Sequence, residues 1–216
     1  MVDLLGDLSH RWPYLAAFGA GYVLGAIPFG LLLTRLAGLG DIRKLGSGNI
    51  GATNVLRTGR KDLAALTLLL DGAKGAGAVL VGSIWGPDMA VLAGAGALIG
   101  HILPVWLRFE GGKGVATALG VALGLSWQAG LVMIAVWLAV AAVTRYSSLA
   151  GLAAGIAGPG VMNWLGTKQQ GEFMIAVAML LILRHVPNLR RLKRGEEPRI
   201  GRSKTKDDGG IDSRET

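Results

Sequence analysis

Cysteine is absent from the 216 residues, so neither a disulfide framework nor a thiolate metal site can form. The three histidines, at 10, 101 and 185, lie far apart and show no metal-ligand spacing, and no metal or other cofactor is expected. Charge is also scarce. Only 17% of residues are charged and 51% are hydrophobic, whereas a soluble domain carries about 25% charged residues. That shortfall points to apolar solvent around much of the surface. The first ten residues hold two aspartates and no lysine or arginine. A secretory signal begins with a basic region, so the first apolar segment reads as a retained span. Glycine is abundant, at 35 residues, with no collagen-like period; in an apolar chain, small residues let membrane helices approach closely. The net charge of +8 could suit nucleic acid in a soluble protein. Here its distribution along the chain argues for membrane orientation instead, and no nucleic-acid partner is expected.

A helix needs ~20 apolar residues to cross the hydrocarbon core. Tyr14 to Thr34 gives a first span. Leu63 to Gly82 gives a second, interrupted by Asp71 and Lys74, and Met89 to Leu107 a third, polar only at His101. Gly114 to Thr144 is a run of 31 uncharged residues, too long for one ordinary span and short for two. Tyr146 to Thr167 follows, then a weak run of 11 at Phe173 to Leu183 that needs its flanks to complete a crossing. If the long run turns near Gly124 to Gly130, 19 of the 22 lysines and arginines share one side, and positive loops stay cytoplasmic. Trp12, Trp85, Trp127 and Trp164 then fall at the opposite turns, as an interfacial aromatic belt requires. The expectation is an all-α polytopic membrane protein of about seven transmembrane helices, N-terminus outside and C-terminus cytoplasmic. Residues 1–199 would form one transmembrane domain, and the polar tail 200–216 would be disordered.

Three polar segments fall on the basic side. The first runs from Gly46 through Ser47, Gly48, Asn49, Gly51, Thr53 and Asn54 to Arg57. It contains G-x-G-x-x-G, but a membrane span precedes it where a dinucleotide fold would have a strand. Its glycines permit close backbone approach, and its hydroxyls and carboxamides can donate. The second is Phe109-Glu110-Gly111-Gly112-Lys113-Gly114, where glycines before a helix start expose amides to an anion and Lys113 adds a full charge. Gly114 follows the lysine where a Walker loop needs Ser or Thr, so it is no NTPase loop. The third holds Arg184, His185, Asn188, Arg191 and Glu197. Asp71 and Lys74, three apart on one helical face, can pair. Each ion at mid-bilayer costs ~3 kcal/mol, so such residues are functional by default; a purely structural pair is the alternative. His101, three before Pro104, suits helix–helix hydrogen bonding as well as catalysis.

Together the segments resemble the acyl-phosphate-dependent glycerol-3-phosphate acyltransferases, the PlsY family. The resemblance rests on G-S-G-N-x-G-x-T-N-x-x-R at Gly46 to Arg57, and on G-H-x-x-P-V then F-x-G-G-K-G-V-A-T at Gly100 to Thr117. It is completed by H-x-x-N-x-x-R-L-x-x-G-x-E at His185 to Glu197. It covers nearly the whole chain to about residue 197, with small departures at Leu189 and Trp106 and a longer polar tail. The resemblance implies transfer of a fatty acyl group from acyl phosphate to the 1-hydroxyl of glycerol 3-phosphate. The products would be lysophosphatidate and inorganic phosphate, the first step of phospholipid synthesis. It further implies a multi-pass protein of the bacterial plasma membrane with a cytoplasmic site, among membrane lipids. A soluble acyltransferase that makes acyl phosphate would be its supplier.

On this resemblance Lys113 and the amides of Gly111, Gly112 and Gly114 would hold a phosphate. The loop of Gly46, Ser47, Gly48, Asn49, Thr53, Asn54 and Arg57 would bind the other phosphate or steady charge at the carbonyl oxygen, with Ser47 closest to the chemistry. His185 and Asn188 would orient the hydroxyl, and Asp71, Lys74, His101, Arg184 and Glu197 would support them. The base is open between His185 and a substrate phosphate. Acyl phosphate is a mixed anhydride, so the lack of Cys and of a G-x-S-x-G elbow costs nothing. The thioester-using acyltransferases carry H-x-x-x-x-D, which none of the three histidines begins. A transporter for an organic phosphate would explain Asp71 and Lys74 but predicts polar groups on both faces, and the outer turns are nearly featureless. A membrane anchor leaves the three motifs unexplained.

Overall fold

A computed structural model describes residues 8–201, which form nine α-helices joined by short connections. Of the tail 200–216 expected to be disordered, residues 202–216 lie outside the described residues, and Ile200 donates its amide to the Arg145 carbonyl at 2.7 Å. The first span is broken into α1 (Leu8–Gly25) and α2 (Phe29–Leu36). Pro28 separates them because it lacks an amide hydrogen and disfavours helical backbone before it. A short helix α3 (Ala52–Val55) follows in the first polar segment, then α4 (Lys61–Ser83) and α5 (Pro87–Ile102). The long uncharged run divides into α6 (Val115–Leu125) and α7 (Trp127–Thr144), with Ser126 between them. The last two are α8 (Ser147–Leu165) and α9 (Lys168–Lys193).

The α1–α2 segment, α4, the Pro87–Leu107 segment that contains α5, α7 and α9 are long and apolar enough to cross a membrane, and α6 is a shorter apolar helix. The chain is a multi-pass integral membrane protein. The weak run at Phe173 to Leu183 is completed by its flanks into the 26-residue α9. The expected third span is found as Pro87–Leu107, with its end changing character: α5 stops at Ile102 and Val105–Leu107 forms a single 3₁₀ turn. The 11 residues of α6 rise only ~16 Å, about half a bilayer core. A short helix between longer neighbours leaves a recess, which places the site.

At the tryptophan end, side chains tie the turns together. Ser126 caps α7 by accepting from the Ala129 amide, and its hydroxyl donates to the Leu165 carbonyl at 2.8 Å. Gln170 completes a capping box with Thr167 and reaches the Leu125 carbonyl. Trp12, Trp85, Trp127 and Trp164 are all exposed at this end. At the other end lie the three polar segments.

Helices α1 and α5 meet through glycine. A Cβ on Gly96 or Gly100 would run into the carbonyls of Phe18 or Tyr22, whereas one on Gly19 would meet nothing. Gly96→Val should therefore destabilise the fold by about 1–3 kcal/mol through overpacking, while Gly19→Val should be silent. Thermal midpoints of the purified proteins in one detergent would show the contrast.

Candidate functional site

The first polar segment folds around Asn54, which is 2% exposed. Its Nδ2 donates to the carbonyls of Ile42, Leu45 and Asn49 at 2.9, 3.0 and 2.8 Å. Its Oδ1 accepts from the Ser47 amide and from Arg57 Nη1. Asn54 borders the cavity, but its carboxamide is committed to shaping the loop. Asn49 Oδ1 likewise accepts from the Gly51 amide, an Asx turn. Gly46 has φ +54, and a Cβ there would strike Asn54 and Arg57. It is needed where the loop wraps the arginine. Ser47, Thr53 and Arg57 are left facing the cavity. Burial lowers the Arg57 guanidinium from its ordinary pKa.

The second segment doubles back on the end of α5. The Gly111 amide donates to the Ile102 carbonyl at 3.1 Å, and the Gly112 amide to the His101 carbonyl at 3.0 Å. The expectation that these two amides grip a phosphate is therefore corrected. They are spent on holding the loop, since a short apolar-flanked connection must satisfy its own backbone. Gly114, at φ +89, is the N-cap of α6. The anion-binding elements that remain are the Lys113 ammonium and the free amides of the first turn of α6. Arg184 braces the loop from α9, its Nη2 donating to the Gly112 carbonyl at 3.3 Å.

The third segment supplies His185, Asn188 and Glu197, all buried. His185 Nδ1 lies 2.8 Å from the Leu181 carbonyl. Asn188 Nδ2 donates to Glu197 Oε1 at 2.6 Å, and Arg191 Nε donates to Oε2 at 2.8 Å. Asn188 Oδ1 has no protein partner and borders the cavity. Burial raises the Glu197 carboxyl, but the donors from Asn188, Ser148 and Arg191 outweigh it and hold it below its ordinary pKa. Asp71 and Lys74 are paired at 2.8 Å. Asp71 and His101 border the cavity, whereas Lys74 turns away to the Ile27 carbonyl.

These groups surround one cavity of about 420 Å³. At its polar end stand Ser47, Thr53, Arg57, Lys113, His185, Asn188 and Glu197. Burial pushes the Lys113 ammonium down to about 8; Glu197 opposes the shift, and Arg191, Arg57 and Arg184 add to it. Arg57 and Lys113, with Arg184 and Arg191 near, outnumber Glu197, and the Asp71 carboxylate that also borders the cavity is paired with Lys74, so the polar end favours an anion. From there the cavity continues along α6 as an apolar groove, with Leu119, Gly120 and Leu123 as floor. Leu68, Ala73 and Ala76 of α4 form one wall and Ile134, Trp137 and Leu138 of α7 the other. Sequence reasoning missed Ser148, whose buried hydroxyl borders the cavity and helps to hold the Glu197 carboxylate. A Ser-Ser pair at a helix start reads as capping, which concealed it.

A cationic pocket joined to an apolar groove inside a bundle of membrane helices is the arrangement that an integral-membrane acyltransferase needs. The family model described as glycerol-3-phosphate acyltransferase matches residues 15–195. A glycerol-3-phosphate acyltransferase of Mesorhizobium japonicum is 55% identical over 84% of this chain and 93% of the relative. One from Rhodopseudomonas palustris is 53% identical over 88% and 98%. The crystal structure of PlsY (YgiH) in its glycerol 3-phosphate form superposes with a TM-score of 0.81 at 37% identity, covering 87% of this chain and 96% of that one. Its lysophosphatidic acid form gives a TM-score of 0.79. The chain belongs to the glycerol-3-phosphate acyltransferase family, within its PlsY branch.

Proposed function

We propose that the protein transfers a fatty acyl group from acyl phosphate to the 1-hydroxyl of glycerol 3-phosphate. The observation that carries this reading is the continuity of the cavity from the Lys113–Arg57 end to the groove over α6. The groove from Ala116 to Leu123 is ~10 Å long at 1.5 Å per residue. An acyl chain lies in it with its carbonyl near Ser47 and His185, and the two phosphates share the cationic end. The glycerol oxygen attacks the carbonyl carbon, and the carbon–oxygen bond to phosphate breaks. Inorganic phosphate leaves with the electron pair, and the hydroxyl proton passes to His185 or to a phosphate oxygen. The lysophosphatidic acid form of the structural neighbour supports a product with both a phosphate and a chain.

The positive-inside rule supports a cytoplasmic position for this end in a bacterial cell, since the basic loops lie there. A soluble enzyme that makes acyl phosphate would supply the donor there. Purified protein given glycerol 3-phosphate with acyl phosphate, acyl-CoA and acyl carrier protein as competing donors should use the acyl phosphate. Transfer from the thioesters alone would overturn the donor assignment. The absence of cysteine makes topology direct to test: Lys44→Cys and Glu110→Cys should both react only from the cytoplasmic side.

A further inference from the structure

We propose that His101 is a positioning residue that sets the loop carrying Lys113, with its ring as the template on which Gly112 is laid. The inference rests on the reading above, in which Lys113 grips a substrate phosphate.

His101 is 4% exposed and sits one residue before the end of α5. A Cβ on Gly112 would collide with the His101 Nε2 and the carbons on either side of it. The ring therefore occupies the space that any other residue at 112 would need. The same histidine's carbonyl takes the Gly112 amide, so both its backbone and its side chain meet one glycine. Arg184 of α9 donates to the Gly112 carbonyl at 3.3 Å. The peptide that leads into Lys113 is thus clamped between α5 and α9.

The other edge of the ring faces Asp71, with Nδ1 3.6 Å from Oδ1, an electrostatic contact longer than a hydrogen bond. Asp71 is itself fixed by Lys74 at 2.8 Å. Lys74 in turn donates to the Ile27 carbonyl at 2.8 Å, at the break between α1 and α2, and lies over the Phe29 ring. Two buried charges in a membrane helix are expensive. Here they carry the rigidity of the broken first span, through His101, to the loop that bears the free ammonium. None of these three side chains needs to touch the reacting atoms for this role.

The cysteine-free chain allows a readout apart from turnover. Glu110→Cys places a reporter on the same loop, and its maleimide labelling rate follows loop order. Against that background, His101→Ala and Gly112→Ala should each raise both the labelling rate and KM for glycerol 3-phosphate about tenfold, with kcat changed less than about threefold. The double variant should fall well short of the roughly hundredfold product, because removing the ring makes room for the new methyl. If His101→Ala does not fold, His101→Asn supplies the same cycle with a smaller space. Fully multiplicative effects, or a His101 variant with unchanged labelling and KM, would overturn the proposal. Lys113→Ala with unchanged KM for both substrates would instead remove the phosphate reading, and the labelling cycle would still stand.

Discussion

Lys113→Ala should lower kcat/KM for glycerol 3-phosphate by about 10²–10³-fold, the size seen when one preorganised partner of a developing or bound anion is lost. The ammonium is the full positive charge at the junction of the loop and α6, and the Gly111 and Gly112 amides are already bonded elsewhere. Arg184 does not replace it, being turned to carbonyl oxygens, and Arg57 approaches the cavity from the other loop. Its pKa near 8 gives the loss a pH signature. Burial favours the neutral amine, so in the free enzyme the charge is present below about pH 8 and fades as pH rises through that value. The profile of kcat/KM, which reports the free enzyme, should therefore fall on its alkaline side around pH 8. A bound phosphate favours the charged form, so the corresponding limb of kcat should lie at higher pH. Lys113→Arg keeps its charge throughout this range and should erase the alkaline fall, even if its bulk lowers the maximum. Steady-state kinetics from pH 6 to pH 9.5 would decide it; an unchanged alkaline limb in the arginine variant would assign the limb to another group.

The division of the chain into membrane helices was legible because hydrophobic runs and basic loops are set by the solvent, not by partner helices. Trp127 marked the turn that splits the 31-residue run, and the break falls one residue before it, at Ser126. The break at Pro28 was not drawn, although the proline was visible, because an uncharged run reads as continuous until the freed carbonyls find partners. Here Trp106 takes the Ala26 carbonyl and Lys74 that of Ile27. The polar site residues were found from their types and order. Their roles were less legible. A glycine before a helix can offer its amide or make room for a neighbour, and the sequence alone does not separate the two. Gly112 proved to make room for His101. Asn54, read as a substrate contact, spends its carboxamide on the loop. The apolar groove was invisible in sequence, because Leu68, Leu123 and Trp137 look like any lipid-facing residues until a short α6 recesses between longer neighbours.

The same reasoning bears on the base. His185→Ala should lower kcat by about 10²–10⁴-fold, the usual contribution of a positioned proton acceptor. Nδ1 lies 2.8 Å from the Leu181 carbonyl, and a carbonyl can only accept. The neutral ring therefore carries its proton on Nδ1, and Nε2 holds the lone pair. The contact to Leu181, one turn earlier on α9, fixes both the tautomer and the ring plane. Three residues on, Asn188 is held by Glu197 through its Nδ2, which leaves Oδ1 free at the cavity to accept from a substrate hydroxyl. Hydroxyl orientation and proton removal would then come from neighbouring turns of one helix. The competing acceptor is a substrate phosphate oxygen, which would need no histidine. Turnover at saturating concentrations of both substrates separates them. With His185 as base, kcat collapses while KM moves little, and added imidazole restores part of the rate by entering the space left by the ring. With the phosphate as base, His185→Ala turns over at close to the parent rate and imidazole has no effect.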